Sequence, residues 1–387
     1  MKQSEVFELL RRCAVEHDWT RPPDGIRELV RRAGASQVGN AAAEHGVTNI
    51  LYLATRGLEE LDAELRSLLG TVYHLNLTHH MKVIGELTAM SAALDEARIP
   101  FMVVKGPVLA EVVYPRNDLR AYGDLDLVIP RASFGDAITV LLESGCDMVD
   151  RNWRVIRREM RGQLHMTARF GTSVDVHWHL LNRSAVRRSF DVDMDALFAR
   201  ARSVSLDGPT VLTLDSPDTL LQLALHAALS GGSKLAWLKD IDRAAADPGL
   251  DWDEVVRRAE TWRVGPVAAV SLRRSAQLLN APVPEEVLER LAASRVWQGI
   301  IRGSERLSPA GRPPNQPSLS RSVTRATRDS LATSLRALTG RFAIDVRDRL
   351  GGIVGRRRAI VASGGDDSDR MAYFEAVRGG GRAAAEA

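Results

Sequence analysis

Residues 101–129 read FMVVKGPVLAEVVYPRNDLRAYGDLDLVI, and residues 172–180 read TSVDVHWHL. Phe101 to Val104 is a short apolar run of β-formers bounded by Pro100 and Lys105-Gly106, which predicts a buried strand. Pro107 then stands where a first helical residue belongs, because its missing N–H is not needed there, and VLAEVVY continues as a turn or two of helix until Pro115. After the loop RNDLRAYG, Asp124 to Ile129 predicts a second strand, closed by Pro130. Side chains alternate faces along a strand. Asp124 and Asp126 therefore share one face, and Leu125, Leu127 and Ile129 the other. The same alternation puts Asp175, His177 and His179 on one face of the strand predicted over 172–180, with Val174, Val176, Trp178 and Leu180 opposite.

Outward from these strands the chain is helical. Val6, Leu9, Leu10 and Cys13 recur at helical spacing, as do Leu58, Leu61, Leu65, Leu68 and Leu69, and residues 71–97 predict one long helix. An amphipathic helix over 132–144 ends at Gly145. From Pro217 onward, further helices follow through Ala293. The segment 308–320, SPAGRPPNQPSLS, is rich in Pro, Gly and Ser and reads as a linker. A basic amphipathic helix is expected over 322–350, and the terminal GGGRAAAEA is read as disordered. The resulting fold class is α+β: a small mixed sheet between helical regions. Its parts are a helical N-terminal segment (1–95), a catalytic core (96–210), a helical C-terminal domain (211–307), the linker and a loose basic tail (321–387). The active cleft is expected between the sheet and the C-terminal helices.

Composition narrows the function classes. From residue 301 onward 16 Lys+Arg face 9 Asp+Glu, whereas the rest of the chain has 36 against 40. The acidic balance of the body argues against a large polynucleotide substrate, and the basic tail is expected to be a solvated arm rather than a nucleic-acid contact. Two distant cysteines, Cys13 and Cys146, make neither a disulfide scaffold nor a four-ligand zinc site. The charged N-terminus lacks the apolar segment of a signal peptide, and no stretch approaches the roughly 20 apolar residues of a membrane span, so a cytoplasmic protein is expected. There is no G-x-S-x-G and no P-loop.

The acids of the two strands carry the chemistry. Two carboxylates two residues apart on a strand repel unless a cation lies between them, and beside phosphates that cation is ordinarily magnesium. If the strand over 172–180 lies beside Asp124–Ile129, Asp175 completes a three-carboxylate site. Such a site suits metal-assisted transfer at a polyphosphate, where positioning and charge stabilisation do the chemistry. Like charges held close cost energy, so neutralising Asp126 or Asp175 is expected to leave the metal-free protein as stable as before or slightly more so. The turn Lys105-Gly106-Pro107 offers a close backbone approach and a movable positive charge to phosphate. Arg120, in the loop entering the second strand, can brace a phosphate or pair with a carboxylate, and Arg116 is a weaker candidate for the same work. A zinc reading through His165, His177 and His179 with Asp175 is the minor alternative. In the favoured reading His177 and His179 instead flank the catalytic carboxylate as hydrogen-bond partners, or sit exposed.

These stretches, with LALHAALSGGSKLAWLKDIDRA (223–244) and LDWDEV (250–255), resemble the uncharacterised nucleotidyltransferase family of the DNA polymerase β-like superfamily over about residues 45 to 300. The resemblance implies transfer of a nucleoside monophosphate from a nucleoside triphosphate, ATP among them, with release of pyrophosphate. It implies a triphosphate grip at Lys105-Gly106 and magnesium on Asp124, Asp126 and Asp175. It names no acceptor. The wider superfamily carries Gly-Ser or Gly-Gly at the first turn, whereas this chain has Lys-Gly followed by proline. The alternative is therefore a catalytically silent nucleotide-binding or scaffold module of the same fold. Lys239 and Asp240 resemble the lysine and acid that some nucleotidyltransferase toxins carry on a helix after the sheet, although the spacing match is loose and an adjacent pair on a surface helix is the preferred account.

Overall fold

The computed structural model describes residues 3–15, 22–32, 34–307, 318–340, 360–361 and 364–380. The chain divides into two compact units. One comprises Met1–His79, Leu109–Tyr122 and Ser216–Arg341, and the other His80–Val108, Gly123–Asp215 and Phe342–Ala387.

The second unit holds a seven-stranded mixed sheet. Its strands are β1 (Met102–Val104), β2 (Asp124–Val128), β3 (Asp147–Met148), β4 (Gln163–Thr167), β5 (Ser173–His177), β6 (Arg202–Ser205) and β7 (Thr210–Thr213), in the spatial order β3-β4-β5-β2-β1-β7-β6. β1 is a continuous apolar run because it lies inside the sheet and both its faces are covered. β2, its antiparallel neighbour, buries every residue after Asp124. β5 runs parallel to β2, a pairing that needs a long crossover, and residues 129–172 supply it with the helix Phe134–Glu143 and the strands β3 and β4. The β6–β7 hairpin extends the sheet on the far side of β1, where Met102 faces Leu212 in a parallel bridge.

The first unit is helical. Ser216–Leu229, Leu235–Ala245, Trp252–Thr261 and Gly265–Leu279 pack together, burying among others Leu221, Leu238, Val255 and Leu272. Local chemistry sets their ends: Asp251 accepts hydrogen bonds from the backbone N–H groups of Asp253 and Glu254, and Asn280 takes the left-handed backbone that closes Gly265–Leu279.

The expected loose tail is corrected in two places. The helix expected over 322–350 begins at Leu319, breaks after Ala326 and resumes over 331–340; residues 341–350 lie outside the described ones. Val323 and Ala326 form one buried cluster with Ala293 and Trp297, and Leu331, Ala337 and Leu338 pack against it. Farther on, the helix Asp367–Arg378 packs in the second unit against Trp153–Glu159 and buries Tyr373 and Val377 completely. High charge and glycine content conceal these segments in the sequence, because each contributes only a few apolar anchors. Most of the linker and the last seven residues also lie outside the described ones. Among the described residues, no helix is long and apolar enough to cross a membrane, and both cysteines are buried and outside any disulfide.

Candidate active site

The parallel pairing of β2 and β5 sets the site. Its register places Asp124 beside Ser173, Asp126 beside Asp175 and Val128 beside His177. Neighbouring strands lie roughly 4.8 Å apart, so side chains paired this way on one face converge. Asp126, Asp175 and His177 each offer a ligand atom, and the three lie within 4.8 Å of one another. One divalent cation can bridge such a set. The two carboxylates suit a hard, oxygen-seeking ion, and the imidazole widens the choice toward manganese or zinc. Asp124, at the exposed first position of β2, is outside the trio.

Asp126 is the most enclosed of these acids, at 2% exposure. Its Oδ2 lies 2.8 Å from the Lys105 ammonium, and its Oδ1 accepts a 2.9 Å hydrogen bond from Nε2 of His177. Burial alone pushes this carboxyl up, but the Lys105 charge and the His177 hydrogen bond more than offset it and hold the carboxyl well below the usual carboxylate range. Asp126 is thus ionised, which makes His177 the donor and leaves its buried Nδ1 without a hydrogen-bond partner among the described residues. Burial likewise pushes the Lys105 ammonium down, while Asp126, Asp124 and Asp175 together hold it above its ordinary value.

Lys105 reaches Asp126 because of its backbone. It has φ +55°, and Gly106 follows at +34°, two successive left-handed residues where β1 turns into the short helix Gly106–Val108. Glycine takes this conformation freely, whereas lysine does so only under constraint. Asp175 is less enclosed, and its Oδ1 accepts a 2.9 Å hydrogen bond from Nδ1 of His165 on β4, its cross-strand partner.

The sequence-predicted residues Lys105, Gly106, Asp126 and Asp175 thus come together. Arg120 belongs to the first unit, where Nε and Nη2 grip the two carboxylate oxygens of Asp240 at 2.8 and 3.0 Å, and Tyr114 donates to the same carboxylate. Its guanidinium is committed to a buried ion pair, not offered from a loop. Arg116 holds Asp118 in the same unit. The surface reading of Lys239 and Asp240 is corrected as well. Lys239 is fully buried 2.8 Å from Asp242, and Asp240 is buried on Arg120, because their helix packs between Ser216–Leu229 and Gly265–Leu279. His179 falls beyond the end of β5, where its Nδ1 accepts a hydrogen bond from the Leu181 backbone, so it does not share the face of Asp175.

Sequence reasoning missed two contacts. The alternation of Gln163-Leu-His-Met-Thr167, with Leu164 and Met166 buried, marks His165 as facing away from them and toward the side of Asp175. The Lys105–Asp126 ion pair left no signal, since it depends on a lysine in a left-handed conformation.

The sequence profile of the uncharacterised nucleotidyltransferase family matches residues 32–280. The chain belongs to this family. The matched span includes every residue of the site just described, and membership makes the protein an enzyme of nucleotidyl transfer. A search of the curated proteins found no match.

Proposed function

We propose that this nucleotidyltransferase moves a nucleoside monophosphate from a nucleoside triphosphate, ATP among them, to a hydroxyl-type acceptor and releases pyrophosphate. The acceptor is a small molecule, a peptide or protein, or an RNA end. What supports the reading, beside the family, is the pairing of Asp126 with Asp175 across β2 and β5, which gives two acids from different strands one common focus. Magnesium is the cofactor assigned, with Asp126, Asp175 and Asp124 as its ligands. When bound, such an ion lowers the pKa of the attacking hydroxyl and neutralises charge on the polyphosphate.

The rest falls to the chain's own groups. His177 and His165 donate to Asp126 and Asp175 and fix the carboxylates in orientation. Lys105 supplies a movable cation for the phosphate oxygens, and Gly106, without a Cβ, leaves room for them. In the transfer, the acceptor oxygen bonds to the α-phosphorus, the bond from that phosphorus to the pyrophosphate oxygen breaks, and the hydroxyl proton is lost to solvent. Arg120 enters only as a structural cation, since Asp240 holds it.

One observation favours the second reading, a catalytically silent nucleotide-binding or scaffold module. Both oxygens of Asp126 are engaged, one by an ammonium that occupies the oxygen a metal would need. The two readings separate on incubation of the protein with each α-labelled nucleoside triphosphate, magnesium and a cell extract. Label transferred to a discrete product supports the enzyme; tight nucleotide binding with no product supports the silent module.

A further inference from the structure

Lys105 and a metal ion require the same carboxylate. Asp126 has two oxygens, the Lys105 ammonium lies 2.8 Å from one, and His177 donates to the other. A divalent cation ligated by Asp126 would stand within a few ångströms of that ammonium, and like charges so close inside a protein repel strongly. Yet an ionised carboxylate as enclosed as Asp126 needs a compensating cation at all times. Resting on the metal-dependent reading above, we propose that Lys105 is an internal stand-in for the metal. Its ammonium neutralises Asp126 until a metal–triphosphate complex arrives, and then leaves the carboxylate to the metal and moves onto phosphate.

Three features suit this exchange. The Lys105 side chain keeps 18% exposure while that of Asp126 keeps 3%, so the lysine, not the acid, has an open route. Its charge is also drawn by Asp124 and Asp175, so one ammonium serves the same acids that the metal would. Its left-handed backbone at φ +55° is costly for an L-residue, and it is this conformation that brings the ammonium to Asp126. The consequence is coupling. Metal alone must displace the lysine without giving it a new partner, whereas metal with a triphosphate gives it one. Metal and nucleotide therefore bind cooperatively, and reciprocally so.

The test measures Mn2+ binding by the paramagnetic resonance of the free ion. It uses the full chain, alone and with the α,β-methylene analogues of the adenosine, guanosine, cytidine and uridine triphosphates in turn. The wild type should bind Mn2+ weakly alone, and at least one analogue should tighten it by about tenfold or more. Lys105→Ala should bind Mn2+ alone about tenfold more tightly than the wild type, and the gain from nucleotide should shrink to a fewfold. Lys105→Gly, which removes the charge and suits the left-handed backbone, should behave the same way and covers the case in which the alanine variant does not fold. Asp126→Asn should lose the site in every arm. Mn2+ binding that depends on Asp126 but is unchanged or weaker in the Lys105 variants overturns the exchange and leaves the metal reading standing. So does a wild type that binds Mn2+ equally well with and without every analogue. Absence of any Asp126-dependent Mn2+ binding overturns both.

Discussion

Asp126 faces Asp175 directly across the parallel ladder of β2 and β5, and the two carboxylates differ sharply in what surrounds them. Asp126 is sealed in and held by an ammonium and an imidazole; Asp175 is partly exposed and held by one imidazole. This asymmetry corrects the expectation that repulsion among the acids dominates the metal-free protein. With Lys105 and the histidines in place, Asp126 is stabilised as an anion, and its charge in turn stabilises Lys105.

Neutralising the two acids should therefore have unequal effects on stability. Asp126→Asn leaves the largely buried Lys105 ammonium without its nearest partner and should lower the stability of the metal-free protein by roughly 2–4 kcal/mol. Asp175→Asn breaks only a partly exposed contact with His165 and should change stability by about 1 kcal/mol or less. Urea unfolding midpoints in chelator give the comparison. Equal shifts, or a stabilised Asp126→Asn, would return the argument to simple carboxylate repulsion.

Lys105→Ala should weaken binding of the triphosphate, by about tenfold in the presence of metal, because it removes the proposed phosphate cation. Calorimetric titration with a non-hydrolysable analogue measures this. Unchanged affinity in a folded variant would reduce Lys105 to a turn residue with an ion pair.

The tail over 321–387, expected to be loose, packs through two segments, around Val323 and around Tyr373. Tyr373 is fully buried, donates to the Arg161 carbonyl and accepts from the Trp178 indole N–H. Tyr373→Ala should cost about 3–5 kcal/mol, in the range for deleting a buried aromatic ring. Truncation to residues 1–308 removes this helix and also uncovers Trp297 and Ala293. The truncated chain should show a broadened or lost thermal transition. A sharp transition at the full-length temperature would mean that the late helices add nothing to the core.

Two buried histidines should make the protein acid-sensitive well above the carboxylate range. Burial, reinforced by Lys234 and Arg321, lowers the pKa of His45 to about 4; burial, with Arg187 and Arg131, lowers that of His179 to about 3. Both stay neutral in the folded state while the unfolded chain takes up protons below about pH 6.5. Stability is then fully present above that pH and is lost as pH falls toward the folded values. Unfolding midpoints measured between pH 7.5 and pH 4.5 should decline, and His45→Gln should flatten the decline. An unaltered slope in a folded His45→Gln would assign the acid sensitivity to other groups.

Much of the fold was legible because its signals are local. Leu125, Leu127 and Ile129 alternate with the acids of β2, and the helices from Ser216 to Leu279 carry both apolar periodicity and caps. The adjacency of β2 and β5 was only conditional, since no local pattern states which strands pair. β6 and β7 were missed because each has four residues and weak alternation. In the site, Asp126 and Asp175 were legible from residue type and period. The Lys105 ion pair, the enclosure of Asp126 and the capture of Arg120 by Asp240 were not, since each depends on tertiary placement or on a backbone angle that residue type does not dictate.

The central claim is that Asp126 and Asp175 form one metal-dependent centre for nucleotidyl transfer. Its most direct measurement is pyrophosphate release from nucleoside triphosphates with cell extract as the source of acceptor, with magnesium and with chelator, for the wild type, Asp126→Asn and Asp175→Asn. The expected result is release by the wild type that needs magnesium and falls by about a hundredfold or more in either variant, the scale seen when a key transition-state contact is removed. Release that persists in chelator, or that survives in a folded Asp126→Asn, would contradict it.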